Sequence, residues 1–567
     1  MKAALLLLVL VVSVAHGASD RSLMVPAGPV GAAGAAPSYD AATDTWRPLE
    51  PPPAAPAGAG DLAATGDGPR TDWTFGPNVR VREDAGGNAL WPDLVALPDG
   101  KLVAIWMDDR TNTYKIYDAV SLDGGASWSG SRLVDDAPAS AMARFARAAV
   151  LSDGSLGVVW EDVRAGGWNW NVRFARGVWN PVSQRFDWSP SAGVNTAGGS
   201  TDAGSYMHPM IAAGPAGRVY VAWTDWREGI FNQVYFRASS DFGATWGTES
   251  RVSDEIGYQP VAGDPSLIVD PYDPVPPQDL YCVFNDWRGN VPGGRYPNVF
   301  FSRSTDGGAT WGVNVEVNDI TDWYQQASAR VLVATPNRTL ACGWFCDDFS
   351  GPTEMRVSLS TDSGATWQAS AAVSTPAGCD VVVNLAPGLQ NDLLASWAAS
   401  YNIFFRGSTD AGLTWSDAIP ADDAGPGYSS GNPSLAALPS GDPRIVMMDS
   451  RPSGAWEVWI APGVRESAGV EDVAADLAGF ALRASPNPLR SRTELAWSLP
   501  SFAVSGRLQV LDLQGRILRE EIVSGTGSGR FSWDGRSARG AELPAGVYMV
   551  RLDAGGATRG VRVVKLR

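Results

Sequence analysis

The sequence predicts an all-β protein, a seven-bladed β-propeller followed by a small β-sandwich. Short apolar runs separated by turn residues fill residues 71–465, and no long helical pattern interrupts them. A four-strand unit recurs along this stretch, and its second strand can be recognised seven times. From residue 480 onward the pattern changes to alternating strands such as RLQVLDL and GVYMVRL.

The N-terminal segments are predicted to lie outside the folded domains. Residues 1–17 carry Lys2, an apolar run and small residues near Gly17, which is the layout of a secretory signal peptide. Residues 18–70 are rich in Ala, Gly and Pro without apolar periodicity, which predicts a disordered linker. No later apolar run approaches the roughly 18 residues that span a bilayer. We therefore expect no transmembrane segment in a secreted protein that is extracellular or attached to the bacterial cell surface.

The second strands of the repeat are almost continuously apolar, which suits strands covered on both faces by stacked blades. They read LVAIW, LGVVW, VYVAW, LYCVF, LACGW, LLASW and RIVMM. The last unit lacks a fourth strand. The segment TFGPNVRVRED at 74–84 matches TWGVNVEVNDI at 310–320 nearly column by column. We therefore predict that an N-terminal strand completes the last blade, so that the propeller covers 71–465 without an exposed edge.

A motif of the form S-x-D-x-G-x-T-W follows the third strand of five units. Aspartate can accept hydrogen bonds from its own turn, glycine supplies positive φ, and tryptophan can pack beneath the hairpin. Every position thus has a structural task, which predicts a hairpin staple rather than a catalytic site. The aspartate and tryptophan pairs are Asp123 and Trp128, Asp241 and Trp246, Asp306 and Trp311, Asp362 and Trp367, and Asp410 and Trp415.

This motif resembles the Asp box, or BNR repeat, of sialidases and related β-propellers. The enzymes of that family use an arginine triad, a tyrosine nucleophile activated by a glutamate, and an aspartate acid/base. The first arginine belongs to an F/Y-R-I-P motif at the start of the first strand. The comparable positions here hold Leu90, Met207, Gly263 and Gly431, although Arg144 and Arg147 could substitute for it. The resemblance therefore implies the fold, and sialidase activity is not expected.

A second repeat, D-x-R, ends the second strand in five units, on the face opposite the S-x-D-x-G-x-T-W turns. Such a ring could hold a polar ligand through bidentate arginine contacts. Alternatively, each aspartate pairs with an arginine of its own or a neighbouring blade. The pairs are Asp108 and Arg110, Asp162 and Arg164, Asp225 and Arg227, Asp286 and Arg288, and Asp449 and Arg451. Aromatic residues nearby, suited either to sugar stacking or to covering loop cores, include Trp168, Trp226, Trp287 and Trp456.

Charge and histidine content exclude several functions. The formal net charge of -17 disfavours nucleic acid and anionic membranes as partners, because both require a basic face. The only histidines are His16 and His208, which excludes a multi-histidine zinc site. We interpret His208 as a packed or capped structural residue and predict no metal and no cofactor.

Four cysteines are too few for a disulfide framework in a chain of this length. Cys342 and Cys346 are predicted on one strand about 13 Å apart, which is too far for a bond. We predict a disulfide between Cys346 and Cys379, linking blades five and six. Cys282 and Cys342 are predicted to be buried thiols.

After a linker at 466–479, residues 480–567 resemble the FlgD-type Ig-like domains and type IX sorting domains of secreted bacterial proteins. The resemblance implies export or surface attachment, with the secretion machinery as a partner, and the alternative is a stabilising sandwich. It rests on Asn487, Pro488, Gly515, Trp533, Gly535, Gly546 and Tyr548.

Three functions remain open from the sequence. The first is binding of a glycan or a cell-surface protein at the D-x-R face. The second is a glycoside hydrolase, sialidase-like or otherwise, built from carboxylates at the same mouth. Two carboxyl groups about 5 to 10 Å apart would favour the hydrolase. Aspartates that are all locked to arginines would favour binding or scaffolding, including the third function, a structural surface protein.

Overall fold

The computed structural model describes residues 37–40, 45–48, 73–465 and 481–566, apart from short breaks. The breaks fall at 84–85, 165, 167–168, 197–206, 228–231, 255–261, 272–277, 289–296, 320–325, 348–352, 375–377, 380–381, 426–427, 452–454, 490, 500–504, 512–516, 525–527, 539 and 555–556. The predicted signal peptide and the linker at 466–479 lie outside the described residues. None of the described residues forms a helix of the length and apolarity that a membrane crossing requires.

The described residues are all-β, which confirms the predicted class. Contacts divide the described residues into two compact units, one containing 73–464 and one containing the residues from 465 onward. Two short antiparallel strands lie within the segment predicted to be a linker. They are β1 (Pro37–Asp40) and β2 (Thr45–Pro48).

The first unit contains seven successive antiparallel sheets, numbered here in chain order. Sheet 1 holds β5 (Ala89–Ala96), β6 (Leu102–Asp108), β7 (Lys115–Ser121) and β8 (Arg132–Leu133). Sheet 2 holds β9 (Ala143–Val150), β10 (Leu156–Asp162), β11 (Asn171–Asn180), β12 (Arg185–Trp188) and β13 (Ala192–Gly193). Sheet 3 holds β14 (Met210–Ala213), β15 (Val219–Asp225), β16 (Gln233–Ser239) and β17 (Ser250–Arg251).

The next three sheets repeat this order. Sheet 4 holds β18 (Ala262–Val269), β19 (Leu280–Asp286), β20 (Asn298–Ser304) and β21 (Val315–Glu316). Sheet 5 holds β22 (Gln326–Ala334), β23 (Leu340–Asp347), β24 (Glu354–Ser360) and β25 (Ala371–Ala372). Sheet 6 holds β26 (Val383–Pro387), β27 (Leu393–Ala399), β28 (Asn402–Ser408) and β29 (Ile419–Pro420).

Sheet 7 combines the two ends of the unit. It holds β30 (Ser430–Ala437), β31 (Pro443–Asp449) and β32 (Glu457–Arg465), together with β3 (Trp73–Phe75) and β4 (Val79–Arg80). Residue Arg80 lies opposite Trp459, and Val79 lies opposite Ile460. The N-terminal strands therefore supply the outer edge of the last sheet.

Seven apolar clusters hold the sheets together, each shared by two neighbours. The cluster of sheets 7 and 1, for example, contains Val446 and Ile460 from one and Leu102 and Trp106 from the other. The first strand of each sheet packs against the first strand of the next, and β30 packs against β5. The first strands thus contact one another in a series that returns to its start, which we call the inner circle.

The second unit consists of two sheets around one core. One holds β33 (Ala481–Ser485), β34 (Thr493–Ser498) and β37 (Ser528–Trp533). The other holds β35 (Ser505–Leu511), β36 (Ile517–Ser524), β38 (Gly546–Ala554) and β39 (Ala557–Lys565). Trp533 and Tyr548 meet edge to face at 5.5 Å in the shared core, and the Tyr548 hydroxyl donates to the Pro544 carbonyl.

Candidate functional site

The D-x-R aspartates are buried and bonded to their own arginines. The Asp108 carboxylate accepts hydrogen bonds from Arg110 Nη2 at 2.7 Å, from the Arg110 amide at 2.9 Å and from Trp106 Nε1 at 3.1 Å. A guanidinium two residues further along the chain bonds the carboxylate in the same way at Asp162, Asp225, Asp286 and Asp449. All five aspartates have at most 1% exposure. Their carboxylates therefore present no surface to a ligand.

The arginines of these pairs also contact acidic residues in outer segments. Arg110 bonds Glu83 at 3.2 Å, Arg164 bonds Asp136 at 2.8 Å, and Arg288 bonds Asp254 at 2.7 Å. Arg227 bonds Glu249 and Arg451 bonds Asp423 in the same manner. In four of these five cases the acid follows the last strand of the preceding sheet, so that the ion pair joins two sheets. Glu249 is the exception, because it precedes β17 of the same sheet, and it reaches sheet 2 through the Thr196 amide.

Electrostatics and aromatic contacts reinforce these pairs. Burial opposes ionisation of Asp136, but bonds from Ser191 and Arg164 outweigh it and lower the pKa of Asp136 to about 2. The guanidinium carbons lie 4.1 to 4.7 Å from the centroids of third-strand rings. The stacked pairs are Arg110 with Tyr117, Arg227 with Tyr235, Arg288 with Phe300, and Arg451 with Trp459. These contacts favour the structural alternative for D-x-R over the ligand-binding one.

The aromatic candidates are not gathered into one platform by the described contacts. Trp226, Trp287 and Trp456 are half-buried beside the ends of their strands, and Trp168 lies outside the described residues. The Trp456 amide donates to Asn88 Oδ1 at 3.2 Å. Trp456 thereby ties sheet 7 to the start of sheet 1.

The S-x-D-x-G-x-T-W turns close on themselves. Asp306 Oδ1 accepts bonds from the Ser304 hydroxyl and the Thr310 amide, and Oδ2 accepts the Thr310 hydroxyl at 2.6 Å. The same set of bonds recurs at Asp123, Asp241, Asp362 and Asp410. At Asp241 the hydroxyl and amide of Thr245 hold the pKa of the carboxyl below its usual range.

The glycine and tryptophan of these turns reach the preceding sheet. Gly308 has φ +90, and a Cβ placed there would lie 1.9 Å from the Phe236 ring of sheet 3. Trp311 packs in the cluster shared by sheets 3 and 4, in edge-to-face contact with Phe236. The tryptophans Trp128, Trp246, Trp367 and Trp415 occupy the equivalent clusters. The turn thus joins its own sheet to the one before it.

The predicted disulfide between Cys346 and Cys379 is not formed, since all four cysteines are thiols. Adjacent residues of a strand face opposite sides of a sheet. Phe345 packs with Cys379 between sheets 5 and 6, whereas Cys346 packs between sheets 4 and 5. Cys282 and Cys342 are fully buried, and burial raises the pKa of both thiols.

The arginines considered as substitutes for the first arginine of the sialidase triad are already bonded to other groups of the protein. Arg144 is buried, bonds Glu161 at 2.5 Å and lies 3.5 Å from the centroid of Trp170. Arg147 donates to the Ala146 carbonyl at 3.0 Å. A ligand carboxylate would therefore have to displace existing partners of Arg144.

A cavity of about 730 Å³ opens on the D-x-R face beside sheet 1. It is bounded by the segment before β5, the turn between β6 and β7, and the residues flanking β9 and β10. We call it the sheet 1 cavity. Its lining consists of Gly86, Gly87, Asn88, Asp109, Arg110, Asn112, Thr113, Tyr114, Ser140, Met142 and Val163.

In five sheets a residue other than glycine, in or just before the first strand, adopts positive φ, which was not predicted from the sequence. These residues are Trp91, Phe145, His208, Asp264 and Asn432. His208 lies before β14, whereas the other four lie in a bulge of the first strand, opposite the residue that precedes the D-x-R aspartate by two positions. The sequence signal was a following proline at four of them, in WP, HP, DP and NP. Leu90, Met207, Gly263 and Gly431 lie one residue earlier.

Metal-ligating side chains are not grouped in threes anywhere within the described ranges. His208 is half-buried, and its Nδ1 contacts Asp264 Oδ1 across sheets 3 and 4. His208 is therefore only partly buried, and its partner is a carboxylate that is itself partly exposed.

No curated protein matched the chain. Similar solved structures include an α-L-arabinanase of Penicillium chrysogenum, with 15% identity, 69% of this chain and 98% of that chain covered, and a TM-score of 0.40. An α-L-arabinofuranosidase of Fusarium graminearum has 14% identity, with 69% of this chain and 98% of that chain covered and a TM-score of 0.39. The NanB sialidase of Streptococcus pneumoniae has 11% identity, with 69% of this chain and 70% of that chain covered and a TM-score of 0.39. Residues 487–557 match the model of the FlgD Ig-like domain family, so this part of the second unit is similar to that family.

Proposed function

We propose that the first unit is a carbohydrate-binding domain whose ligand occupies the sheet 1 cavity, without sialidase activity. The observation that carries this proposal is the cavity itself, about 730 Å³ in volume and bounded by amide, hydroxyl, carboxylate and guanidinium groups. Small-molecule sites typically have volumes of about 300–1,000 Å³ with a few placed polar groups.

The polar groups of the cavity are held in place by their neighbours. Asp109 accepts the Asn88 amide and, at 3.3 Å, Asn88 Nδ2. Burial raises the pKa of Tyr114 to about 12, and the charges of Asp109 and Asp108 add to this effect. The Tyr114 hydroxyl consequently remains a donor across the physiological pH range. Fixed donors and acceptors beside the Tyr114 ring and Met142 suit the polar edge and apolar face of a sugar.

The number of carboxylates that line the cavity favours binding over glycoside hydrolysis. Among the described lining residues Asp109 alone carries a carboxylate, and it is bonded to Asn88. Hydrolysis by paired carboxylates needs two such groups about 5 to 10 Å apart. The D-x-R aspartates, which could have supplied the second, are buried beneath their arginines.

We further propose that the seven sheets are the blades of a β-propeller and that the S-x-D-x-G-x-T-W turns are Asp boxes that staple neighbouring blades. The contact between β30 and β5 and the pairing of β4 with β32 support a ring that returns to its start. The bonding within each turn, and the contact of Gly308 with Phe236, support the stapling role.

Export to the cell surface or the medium is also part of the proposal. It rests on the N-terminal sequence of residues 1–17 and on the match of 487–557 to the FlgD Ig-like family. The second unit would then serve secretion or attachment, as the resemblance to type IX sorting domains implies, and the cell-surface partner would be a glycan or a protein.

A glycan array followed by calorimetry tests the cavity. We expect the wild-type protein to bind a defined subset of glycans, and the Ser140→Trp variant, which fills the cavity, to lose that binding at least tenfold. The matched control is Ser440→Trp, which places the same side chain on an exposed turn between β30 and β31. Equal affinities in all three proteins, or turnover of fluorogenic glycosides and sialosides at ordinary enzyme rates, would contradict the proposal.

A further inference from the structure

One wall of the sheet 1 cavity is held by a buried ammonium group. Lys115 is 4% exposed, and it is not a lining residue of the cavity. Its Nζ donates to three backbone carbonyls, those of Pro138 at 2.6 Å, Ala141 at 2.8 Å and Ala137 at 3.2 Å. An ammonium group has three N–H donors, so these bonds use all of them. The segment 137–142, which the bonds fix, contains the lining residues Ser140 and Met142.

The position of this segment is coupled to the burial of two charges. The Asp135 carboxylate, whose side chain is fully buried, lies 3.6 Å from Lys115 Nζ. It also accepts the Ile116 amide at 2.8 Å and the Ala137 amide at 3.1 Å. If the segment moved away, the ammonium group would lose carbonyl acceptors in a place that water does not reach, which is unfavourable for a charged donor. These bonds therefore favour one position of the wall before a ligand arrives.

A second wall of the cavity is fixed in a similar way by Arg82. Arg82 is 2% exposed, and its Nε lies 3.0 Å from Asp108 Oδ2. Its guanidinium group also donates to the carbonyl of Gly87 at 3.1 Å and to that of Gly86. Gly86 and Gly87 both line the cavity. A substitution at Lys115 would leave these bonds in place, so its direct effect would be confined to the wall at 137–142.

Comparison with the other sheets shows that the four-strand unit does not require Lys115. Lys115 lies opposite Asp108, the D-x-R aspartate of sheet 1. Sheets 2, 3 and 4 hold a neutral amide at this register, bonded to a neutral side chain two residues after the last strand. The pairs are Asn171 with Asn195 at 3.2 Å, Gln233 with Ser253 at 2.6 Å, and Asn298 with Asn318 at 3.2 Å. Sheet 7 holds Glu457 there, bonded to Arg80. Among these five sheets, the cation thus occurs in the one that borders the cavity.

We propose that Lys115 is a positioning residue of the sheet 1 cavity. Its charge orders the wall at 137–142 in advance, so that ligand affinity depends on Lys115 although its side chain does not touch the ligand. A wall that is ordered before binding spares the complex the entropy cost of ordering it afterwards. The proposal rests on the proposed function, since it takes the cavity as the ligand site.

The repeat itself supplies a variant that should fold. Lys115→Asn combined with Asp135→Asn gives sheet 1 the pair that sheet 4 carries, where Asn318 Oδ1 accepts the Val299 amide at 2.6 Å. The double substitution removes both buried charges together, so neither is left without its partner. It also removes the three bonds to the wall. The matched control, Gln233→Asn with Ser253→Asn, introduces the same pair into sheet 3, which contributes no described lining residue.

Two measurements on the full chain test the role of Lys115. Calorimetry with the array glycans should show about tenfold weaker binding by the sheet 1 double variant, with an unfolding midpoint close to that of the wild type. Amide hydrogen exchange followed by mass spectrometry should be faster across 137–142 in this variant without glycan. The sheet 3 control should match the wild type in both measurements. A purely structural role for Lys115 would lower the unfolding midpoint and leave the affinity of the folded protein unchanged.

Unchanged affinity or unchanged exchange at 137–142 in the sheet 1 double variant overturns the positioning role. Ser140→Trp separates this failure from that of the proposed function. If Ser140→Trp loses glycan binding while the double variant retains it, the cavity is the ligand site and Lys115 does not position it. If Ser140→Trp binds glycans as the wild type does, the ligand lies elsewhere, and both proposals are overturned.

Discussion

Asp225 and Arg227 lie two residues apart and form an ion pair whose carboxylate is buried, while the guanidinium also bonds Glu249. A pair of this kind contributes little as an isolated attraction, because burial of both charges opposes it. Removing one of the two charges is costly, since the other charge then remains buried without its partner.

We therefore expect Asp225→Asn to lower the free energy of unfolding by about 3 kcal/mol. Denaturant unfolding checks this value. Asp417→Asn, an exposed substitution in sheet 6, is the control and should change stability by less than about 0.5 kcal/mol. A D-x-R ring that served mainly to bind ligand would show the reverse pattern, with stability preserved and glycan affinity lost.

Gly308→Ala should destabilise the protein by about 3 kcal/mol or more. The new methyl group would meet the Phe236 ring at 1.9 Å, and φ +90 disfavours any side chain. Thermal and denaturant unfolding measure the loss. Gly154→Ala has a similar φ of +81 but open space around it, so it should cost only about 1–2 kcal/mol. Equal losses in the two variants would show that contact with sheet 3 contributes nothing.

Gly87→Ala should weaken glycan binding more than its effect on stability explains. Its Cβ would lie 2.4 Å from Asp109 Oδ1 and 2.9 Å from the Arg110 amide, which displaces one wall of the sheet 1 cavity. Gly100→Ala, with φ +86 and open space, carries similar backbone strain outside the cavity and is the matched control. Calorimetry on the two folded variants separates the effects, and equal affinities would argue against a ligand in this cavity.

Asp118→Asn should stabilise the protein at pH 8 and have little effect at pH 3. Burial raises the pKa of Asp118 to about 6, and the bond from Trp188 Nε1 only partly offsets it. Because this folded-state pKa exceeds the unfolded value near 4, wild-type stability falls as the pH rises from about 4 to about 6. The variant should gain roughly 1–3 kcal/mol above pH 6. Unfolding measured at several pH values checks this, and a constant difference from pH 3 to pH 8 would refute it.

Reducing agent should leave the unfolding midpoint unchanged, since all four cysteines are thiols. Thiol titration of the denatured protein, prepared without reductant under nitrogen, should count four groups. A titration of only two thiols, together with a lower unfolding midpoint in reductant, would show that the predicted disulfide between Cys346 and Cys379 does form.

The sequence was most informative where a repeat constrained it. The match of 74–84 to 310–320 identified the strands that pair with β32, and the spacing of D-x-R placed each pair at a strand end. Repetition did not indicate which side of a sheet a particular side chain occupies. The order of the strands suggested that Cys346 and Cys379 lie close together on neighbouring sheets. They pack instead on opposite sides of β23.

The candidate sites were harder to predict because they depend on contacts between units of the repeat. His208 resembled an ordinary core histidine, since its partner Asp264 is 56 residues away. Prolines after Trp91, His208, Asp264 and Asn432 were visible, but their common consequence, a strained residue at the inner circle, required the register of each strand. The sheet 1 cavity likewise joins segments of sheets 1 and 2.

Sheet 7 has a consequence for how the chain is synthesised. Arg80 bonds Glu457, which lies 377 residues later in the sequence. The edge strand must therefore wait, unpaired, until β32 has left the ribosome, and completion of the first unit is necessarily a late event in translation. Contacts of such long range also slow folding. Sheets 1 to 6 contain only strands that follow one another in the chain, so they can form earlier, and the last sheet alone has to wait for both ends of the unit.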